Sequence, residues 1–215
     1  MIEIIPSLLV KSKKEFEKKL RLVENDVETI HVDILDGSLF DNTSWFNALD
    51  VGAMRTKVKY ELHLMVENPL PIIRDWKKHV IQTKRAIIQA EIERQLGAVI
   101  DVIHDELHLE AGISLNPETP LDEIHHMLHQ IEHLTIMGIH PGLSGQPFLG
   151  EQIIEKIKCA HAHVPELPIE IDGGVTKENL KELTSVGITR ICTASLLFHS
   201  GDVLSILNQI KHDIL

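Results

Sequence analysis

The segment IHVDILDG, residues 30–37, carries ionisable side chains within an otherwise apolar run. Side chains alternate across a β-strand, so His31 and Asp33 share one face and the aliphatic residues between them share the other. An imidazole and a carboxylate are costly to bury unless they are paired, protonated or bound to a metal ion. The pattern therefore predicts either a hydrogen-bonded pair in the core or part of a functional site.

Two other strand-like segments repeat this pattern. VKYELHLMV places His63 and Met65 on one face, and the alternation in LPIEIDG leads to Asp172. Together with His31 and Asp33 they supply two imidazoles and two carboxylates, a mixed nitrogen and oxygen set that suits a divalent transition metal. The alternative is that each is a separately hydrogen-bonded core residue, but four such residues at matching depths favour one site.

Eight strand-like runs alternate with helical segments along the chain. The strand-like runs cover residues 2–8, 29–35, 58–66, 85–91, 107–115, 133–139, 167–173 and 189–195. The helical segments cover residues 12–25, 45–56, 69–80, 93–104, 120–131, 148–163, 176–186 and 201–213, the second of them irregular and partly loop-like. This alternation predicts a parallel sheet with helical crossovers, and eight such units normally close into a (β/α)8 TIM barrel.

We therefore expect an α/β protein with one barrel domain over residues 1–215. A doubly wound open sheet is the alternative, but the Gly-x-Gly-x-x-Gly opening expected after its first strand is absent from this sequence. Catalytic groups of a barrel lie at the C-terminal ends of its strands. Ser7 at the end of the first strand and Met137 at the end of the sixth are expected to reach the same mouth as the four candidate ligands.

Two carboxylates lie two residues deeper in the predicted barrel, Glu61 before His63 and Glu170 before Asp172. A carboxylate in such a position is able to orient a ligand histidine through its second ring nitrogen. A buried ionic network at the base of the barrel explains both residues equally well. The sequence leaves these two roles open, and neither residue is counted as catalytic.

Two glycine-rich loops follow successive strands and predict an anion cradle. Glycines let backbone N–H groups approach phosphate oxygens, and the phosphate site of a barrel often lies near its seventh and eighth strands. Pro-Gly and Gly-Gly are also common turn formers, so the position of the loops carries the prediction. The loop residues expected to bind substrate are Gly142, Leu143, Ser144 and Gly145 after the sixth strand and Gly173 and Gly174 after the seventh.

Composition limits the partners and the compartment. The formal net charge of −11 and the aromatic content of 4% disfavour a nucleic-acid partner. No apolar run reaches the length of about 18 residues that spans a membrane, and the N-terminus lacks signal-peptide features. Only Cys159 and Cys192 occur, which predicts a reducing cytoplasm without a disulfide framework. The histidine-rich stretch HHMLH, residues 125–129, is expected to be an exposed helix face.

Motifs over nearly the whole chain resemble the ribulose-phosphate 3-epimerase family and its sugar-phosphate epimerase relatives. They read PSLL, IHVDILDG, ELHLMVENP, GISLNPETPL, IMGIHPGLSGQPF and EIDGGV. The resemblance implies a metal-dependent barrel that inverts C3 of a phosphorylated ketose. It also implies a homo-oligomer, either a dimer or a hexamer.

The resemblance implies a role for each matching residue. His31, Asp33, His63 and Asp172 would hold one divalent ion (zinc, iron, manganese or cobalt), and Asp33 and Asp172 would also form the proton-transfer pair. The substrate-binding set would comprise the loop glycines with Leu143 and Ser144, together with Ser7, His63, Met65, Met137, Ala194 and Ser195. The two methionines would pack on a planar enediolate, with plain core packing as the alternative.

The substrate-binding residues depart from the family pattern while the metal set is complete. Leu35 replaces a methionine, Gln89 replaces a histidine, and of the usual cover-loop pattern only Asn42 is retained. Ala194 replaces a glycine, and its methyl group would crowd a phosphate if the backbone there needs a glycine conformation.

Ribulose 5-phosphate and xylulose 5-phosphate are the expected substrate pair. A 3-epimerase of a hexulose 6-phosphate, such as allulose 6-phosphate, and a non-catalytic sugar-phosphate-binding relative are the alternatives. The related decarboxylases and hexulose-phosphate synthases are disfavoured, because their Asp-x-Lys-x-x-Asp arrangement does not occur at the corresponding strand ends.

Overall fold

A computed structural model describes residues 2–143, 145–199 and 201–213 of the chain. Eight parallel strands, each hydrogen-bonded to the next and the last to the first, close into a barrel. The strands are β1 Glu3–Leu8, β2 Thr29–Ile34, β3 Lys59–Leu64, β4 Thr83–Gln89, β5 Glu110–Leu115, β6 His133–Met137, β7 Ile169–Asp172 and β8 Arg190–Thr193. The predicted (β/α)8 barrel is confirmed.

Helices surround the barrel in chain order. They are α1 Lys13–Val23, α2 Ala48–Gly52, α3 Pro69–His79, α4 Leu96–Asp101, α5 Glu151–His163, α6 Leu180–Ser185, α7 Ser195–Phe198 and α8 Val203–Asp213. A π-helical turn, Val102–Glu106, continues α4. No helix within the described part of the chain is both long enough and apolar enough to cross a lipid bilayer.

The two faces of each strand differ in chemistry. On β2, Ile30, Val32 and Ile34 belong to the large apolar core that fills the space between the barrel and its helices. His31 and Asp33 of the same strand are buried in the barrel interior. Barrel interiors are usually filled by branched apolar side chains. Here polar and charged groups occupy much of that space, and this is the part of the fold that forms the site.

Two predicted helices are shorter or tighter than expected. The segment 120–131 contains two 3-10 turns, Leu121–Glu123 and His125–Met127, in place of an α-helix. The prediction of an α-helix over this segment is therefore wrong, although His125 and His126 are exposed as expected. The segment 45–56 keeps only the five residues of α2 as a helix.

Candidate active site and metal centre

Four buried side chains on three strands converge inside the barrel near the C-terminal ends of the strands. His31 and Asp33 lie on β2, His63 lies on β3 and Asp172 lies at the end of β7. The parallel register places Asp33 beside His63. One potential metal-ligating atom from each residue falls within 4.8 Å of the others. The structure thus brings together the four residues that the sequence predicts as one set.

The spacing of these atoms suits a single ion. His63 Nδ1 lies 3.3 Å from Asp33 Oδ1 and 3.4 Å from Asp172 Oδ2. His31 Nε2 lies 3.4 Å and 3.8 Å from the same two oxygens. Nitrogen and oxygen ligands at about 2.0–2.2 Å from a tetrahedral zinc ion are about 3.4 Å apart. The observed distances match that separation.

The hydrogen bonds of the two imidazoles direct their lone pairs into the centre. His31 Nδ1 lies 2.8 Å from Glu61 Oε1, and His63 Nε2 lies 2.9 Å from the side-chain amide of Gln89. The orientation of that amide with its oxygen towards His63 lets its nitrogen donate to Glu91 Oε2 at 2.8 Å. The opposite nitrogens, His31 Nε2 and His63 Nδ1, are buried without a hydrogen-bond partner among the described residues. Such orphaned atoms are expected where a cation binds.

The electrostatics also favour a cation. Burial acts to raise the pKa of the Asp33 carboxyl, but its contacts with His31 and His63 outweigh burial and lower that pKa below its usual range. Burial acts to lower the pKa of His63, and the facing carboxylates of Asp172 and Asp33 raise it above its usual value. The two carboxylates therefore favour a positive charge at this point, which is the charge that a divalent ion would supply.

A pocket opens above the four side chains. Its lining includes Asp33 and Asp172 and most of the predicted substrate-binding residues, namely Ser7, Met65, Met137, Gly142, Leu143, Gly145, Gly173, Gly174, Ala194 and Ser195. His63 is fully buried beneath the pocket. Ser144 lies outside the described residues.

The structure adds four residues to the lining that the sequence did not single out: Leu9, Ile139, Pro141 and Thr193. Pro141 lies in the quoted glycine-rich loop, and Thr193 ends the strand before Ala194. Their positions at strand ends are the signal that would have identified them.

Ser7 has a contact that its predicted role did not include. Its hydroxyl donates a hydrogen bond to Asp33 Oδ2. Asp33 therefore divides its two oxygens, since Oδ1 faces the imidazoles and Oδ2 accepts from Ser7. This arrangement fixes the plane of the carboxylate at the floor of the pocket.

The glycine-rich loops have the backbone conformation that glycine permits. Gly142, Gly145, Gly173 and Gly174 all have positive φ, between 72° and 99°. Ala194 differs, because its φ of −109° and ψ of −56° are ordinary for an L-residue. The backbone at that position therefore does not require glycine, and the methyl group of Ala194 imposes no backbone strain.

A charged network lies deeper in the barrel, beneath the four side chains. Glu61 contacts both Arg85 and His31. It therefore belongs to a buried ionic network and is also placed to orient a histidine of the site, the two roles that the sequence left open. Glu170 Oε1 lies 3.5 Å from His31 Nδ1. Burial and the neighbouring Glu61 carboxylate raise the pKa of Glu170 well above its usual value.

Sequence reasoning missed three members of this deeper layer: Arg85, His133 and Arg190. Each lies on the same face of its strand as a residue that the sequence analysis named nearer the C-terminal end of that strand. Arg85 is in phase with Gln89, and His133 is in phase with Met137. Extending the alternation towards the start of each strand would have identified them.

Comparisons with known proteins agree with these features. The model of the Ribulose-phosphate 3 epimerase family matches residues 3–198. Ribulose-phosphate 3-epimerase of Helicobacter pylori is 29% identical over 208 residues, which cover 94% of this chain and 93% of that protein. The Bacillus subtilis enzyme of the same name is 28% identical over 219 residues, covering 98% and 99%. KGPDC from Streptococcus mutans, a solved structure, shares the fold with a TM-score of 0.76 at 12% identity, covering 100% and 97%.

Proposed function

We propose that this chain, which belongs to the ribulose-phosphate 3-epimerase family, interconverts D-ribulose 5-phosphate and D-xylulose 5-phosphate by metal-dependent proton transfer at C3. The observation that carries the proposal is the pairing of Asp33 and Asp172. Both carboxylates line one pocket, and each has an oxygen within 3.8 Å of both buried imidazoles. A site for one substrate carbon between two carboxylates is what inversion of that carbon requires.

The two carboxylates divide the proton transfer. One removes the C3 proton from one face of the substrate, and the other returns a proton to the opposite face. The substrate passes through a planar enediolate between these steps. The hydrogen bond from Ser7 and the facing imidazoles keep Asp33 ionised and oriented for this role.

A divalent ion held by His31, Asp33, His63 and Asp172 would stabilise the negative charge that develops on the substrate oxygen. The ligand set of two imidazoles and two carboxylates accommodates zinc, iron, manganese or cobalt. The orphaned nitrogens of the two histidines and the spacing of the four ligand atoms support this assignment.

The pocket walls suit a phosphorylated ketose. Met65 and Met137 are each 3% exposed and face the pocket, where their sulfur atoms would pack against the planar enediolate. The phosphate would lie at the rim, against the backbone N–H groups of the glycine-rich loops and the residues Ala194 and Ser195. The four left-handed glycines themselves contribute no side chains to that rim.

Three wider expectations accompany this proposal. Residues 1–215 form one functional domain, the protein acts as a homo-oligomer, and it works in the cytoplasm on a small sugar phosphate. Size-exclusion chromatography with light scattering would test the oligomeric state.

Exchange of the C3 proton tests the function directly. The purified chain, loaded with Zn²⁺, Fe²⁺, Mn²⁺ or Co²⁺, is incubated with D-ribulose 5-phosphate in D₂O, and NMR follows deuterium at C3 and the appearance of xylulose 5-phosphate. We expect both signals from the metal-loaded protein and neither from chelator-treated protein. Absence of exchange with every metal would overturn the assignment to this substrate. Exchange with allulose 6-phosphate alone would reassign the substrate to a hexulose phosphate.

A further inference from the structure

A chain of hydrogen-bonded side chains leads from Glu110, which is partly exposed at the base of the barrel, to the buried His31. Arg85 is 1% exposed, and its Nη1 donates to Glu61 Oε2. Its Nε and Nη2 donate to Glu110 Oε2 at 3.0 Å and 2.6 Å. The second Glu61 oxygen, Oε1, lies 2.8 Å from His31 Nδ1. The contacts therefore run in one line from Glu110 through Arg85 and Glu61 to a predicted metal ligand.

The way in which Glu61 divides its oxygens is informative. A guanidinium and a carboxylate that only neutralise each other favour a bidentate pair, with two parallel hydrogen bonds. Arg85 instead donates to Glu61 from one guanidinium nitrogen, Nη1, and to Glu110 from the other two, Nε and Nη2. One Glu61 oxygen is left free for the imidazole. The arrangement holds Glu61 in place without occupying the atom that faces His31.

The contact between Glu61 and His31 determines which ring nitrogen carries a proton. A carboxylate accepts hydrogen bonds only, so it keeps the proton on Nδ1 and the lone pair on Nε2. Nε2 is the atom that faces Asp33 and Asp172. Glu170 Oε1 lies farther from the same nitrogen, at 3.5 Å. Without Glu61 the neutral ring loses its nearest acceptor at Nδ1 and is freer to place its proton on Nε2, where it blocks metal binding.

A second cation site in this layer is a competing explanation for so many buried carboxylates. Glu61, His133 and Glu170 do place potential ligand atoms within 4.8 Å of one another. Two guanidinium groups already contact this cluster. Arg85 forms an ion pair with Glu61, and Arg190 Nη1 lies 2.5 Å from His133 Nδ1. The positive charge that an ion would supply is thus present in the side chains.

We propose that Glu61 is a positioning residue, which Arg85 anchors, and that it sets the tautomer and orientation of His31 for metal binding. The inference rests on the proposed metal-dependent function. It assigns to Arg85 and Glu61 a joint role that neither their burial nor their charge alone requires.

Metal affinity, measured on the purified full-length chain, tests the role without recourse to activity. Co²⁺ is titrated against a competing chelator, and the visible absorption of bound Co²⁺ reports its coordination. In Glu61→Gln the amide oxygen is drawn to Arg85 and the amide nitrogen faces His31 Nδ1, which favours the non-binding tautomer. We expect Co²⁺ affinity to fall about 10- to 100-fold and the spectrum to change.

Two further variants separate positioning from simple charge neutralisation. Glu110→Gln makes the same chemical change on the other partner of Arg85 but does not touch His31, so affinity should stay within about twofold of wild type. Glu61→Leu/Arg85→Met removes the buried ion pair as a unit, which proteins often tolerate. This double variant should fold and still bind Co²⁺ about 10- to 100-fold more weakly, because the nearest acceptor for His31 Nδ1 is missing.

The outcomes are distinguishable. Wild-type affinity in Glu61→Gln, or in the double variant, would show that Glu61 only balances Arg85 and would overturn this inference while leaving the proposed function intact. A wild-type protein that binds no Co²⁺ would overturn the proposed metal dependence and the positioning role with it.

Discussion

Asn42 and Gly142, a hundred residues apart in the chain, join the two loops that border the pocket. Asn42 Nδ2 donates to the Gly142 carbonyl at 2.5 Å. Lys11 Nζ holds the same asparagine from the other side, with 2.5 Å to Oδ1. The loop after β2 is therefore tied to the glycine-rich loop after β6, although most of its sequence departs from the pattern expected for a cover loop.

Removal of this link should weaken substrate binding more than the chemical step. Asn42→Ala loses one hydrogen bond worth about 1 kcal/mol, and the glycine-rich loop loses its anchor. We expect KM for the ketose phosphate to rise about 5- to 10-fold, with kcat within about twofold of wild type. Steady-state kinetics would check this. Asp41→Ala, at the exposed neighbouring position, is the control and should be silent; an equal effect there would contradict the specific role of Asn42.

Replacing either candidate base, Asp33 or Asp172, by asparagine should block inversion at C3 but leave exchange of the C3 proton in one of the two epimers. We expect Asp33→Asn and Asp172→Asn each to lower the rate of epimerisation by about 10²- to 10⁴-fold. Since one carboxylate remains, each variant should still exchange the C3 proton of one epimer with solvent deuterium. The two variants should differ in which epimer they exchange.

NMR in D₂O, started separately from each epimer, measures this exchange, and bound metal is quantified in each variant. Asp36→Asn, an exposed carboxylate just beyond β2, serves as the control. More than a tenth of the wild-type epimerisation rate in either variant would argue against the two-base mechanism.

The convergence of the site could be predicted from the sequence because it follows from period-two alternation. His31, Asp33, His63 and Asp172 lie at strand ends, and a parallel barrel brings strand ends to one mouth. Ser7 and Met137, which the same rule assigns to that mouth, line the pocket. No long-range contact had to be known in advance.

Other features depend on tertiary packing that alternation does not report. The hydrogen bond from Ser7 to Asp33 and the contact between Gln89 and His63 each join neighbouring strands, and both depend on the orientation of the side chains. The short turns at Leu121–Glu123 and His125–Met127 replace the helix predicted over residues 120–131. Propensity in such a segment is a weak guide, since packing on the barrel decides its shape.

Metal binding should stabilise the fold, and His63 should be required for it. An ion at about 100 times its dissociation constant adds about 2.7 kcal/mol to the free energy of unfolding. For a domain of this size that corresponds to a rise in Tm of about 5–11 °C. We expect chelator-treated wild type to show this rise with Co²⁺ or Zn²⁺ in differential scanning calorimetry, and His63→Ala to show little of it.

Exposed histidines require a control in that experiment. The rings of His125 and His163 lie 4.3 Å apart at the surface and offer an adventitious site. His125→Ala should retain the full metal-dependent rise in Tm. Loss of the rise in His125→Ala, with its retention in His63→Ala, would place the stabilising ion at the surface and contradict the buried centre.

The backbone at Ala194 predicts that restoring the family's usual glycine there brings no gain. Its φ of −109° is accessible to any L-residue, so Ala194→Gly should leave KM for the ketose phosphate within about twofold of wild type. Gly145→Ala serves as the contrasting variant. The φ of Gly145 is +81°, and a Cβ there would meet no atom within 4 Å among the described residues beyond its chain neighbours. The left-handed backbone alone should cost about 1–2 kcal/mol and raise KM about 5- to 30-fold. A fall in KM of fivefold or more in Ala194→Gly would show that the alanine methyl does obstruct the phosphate.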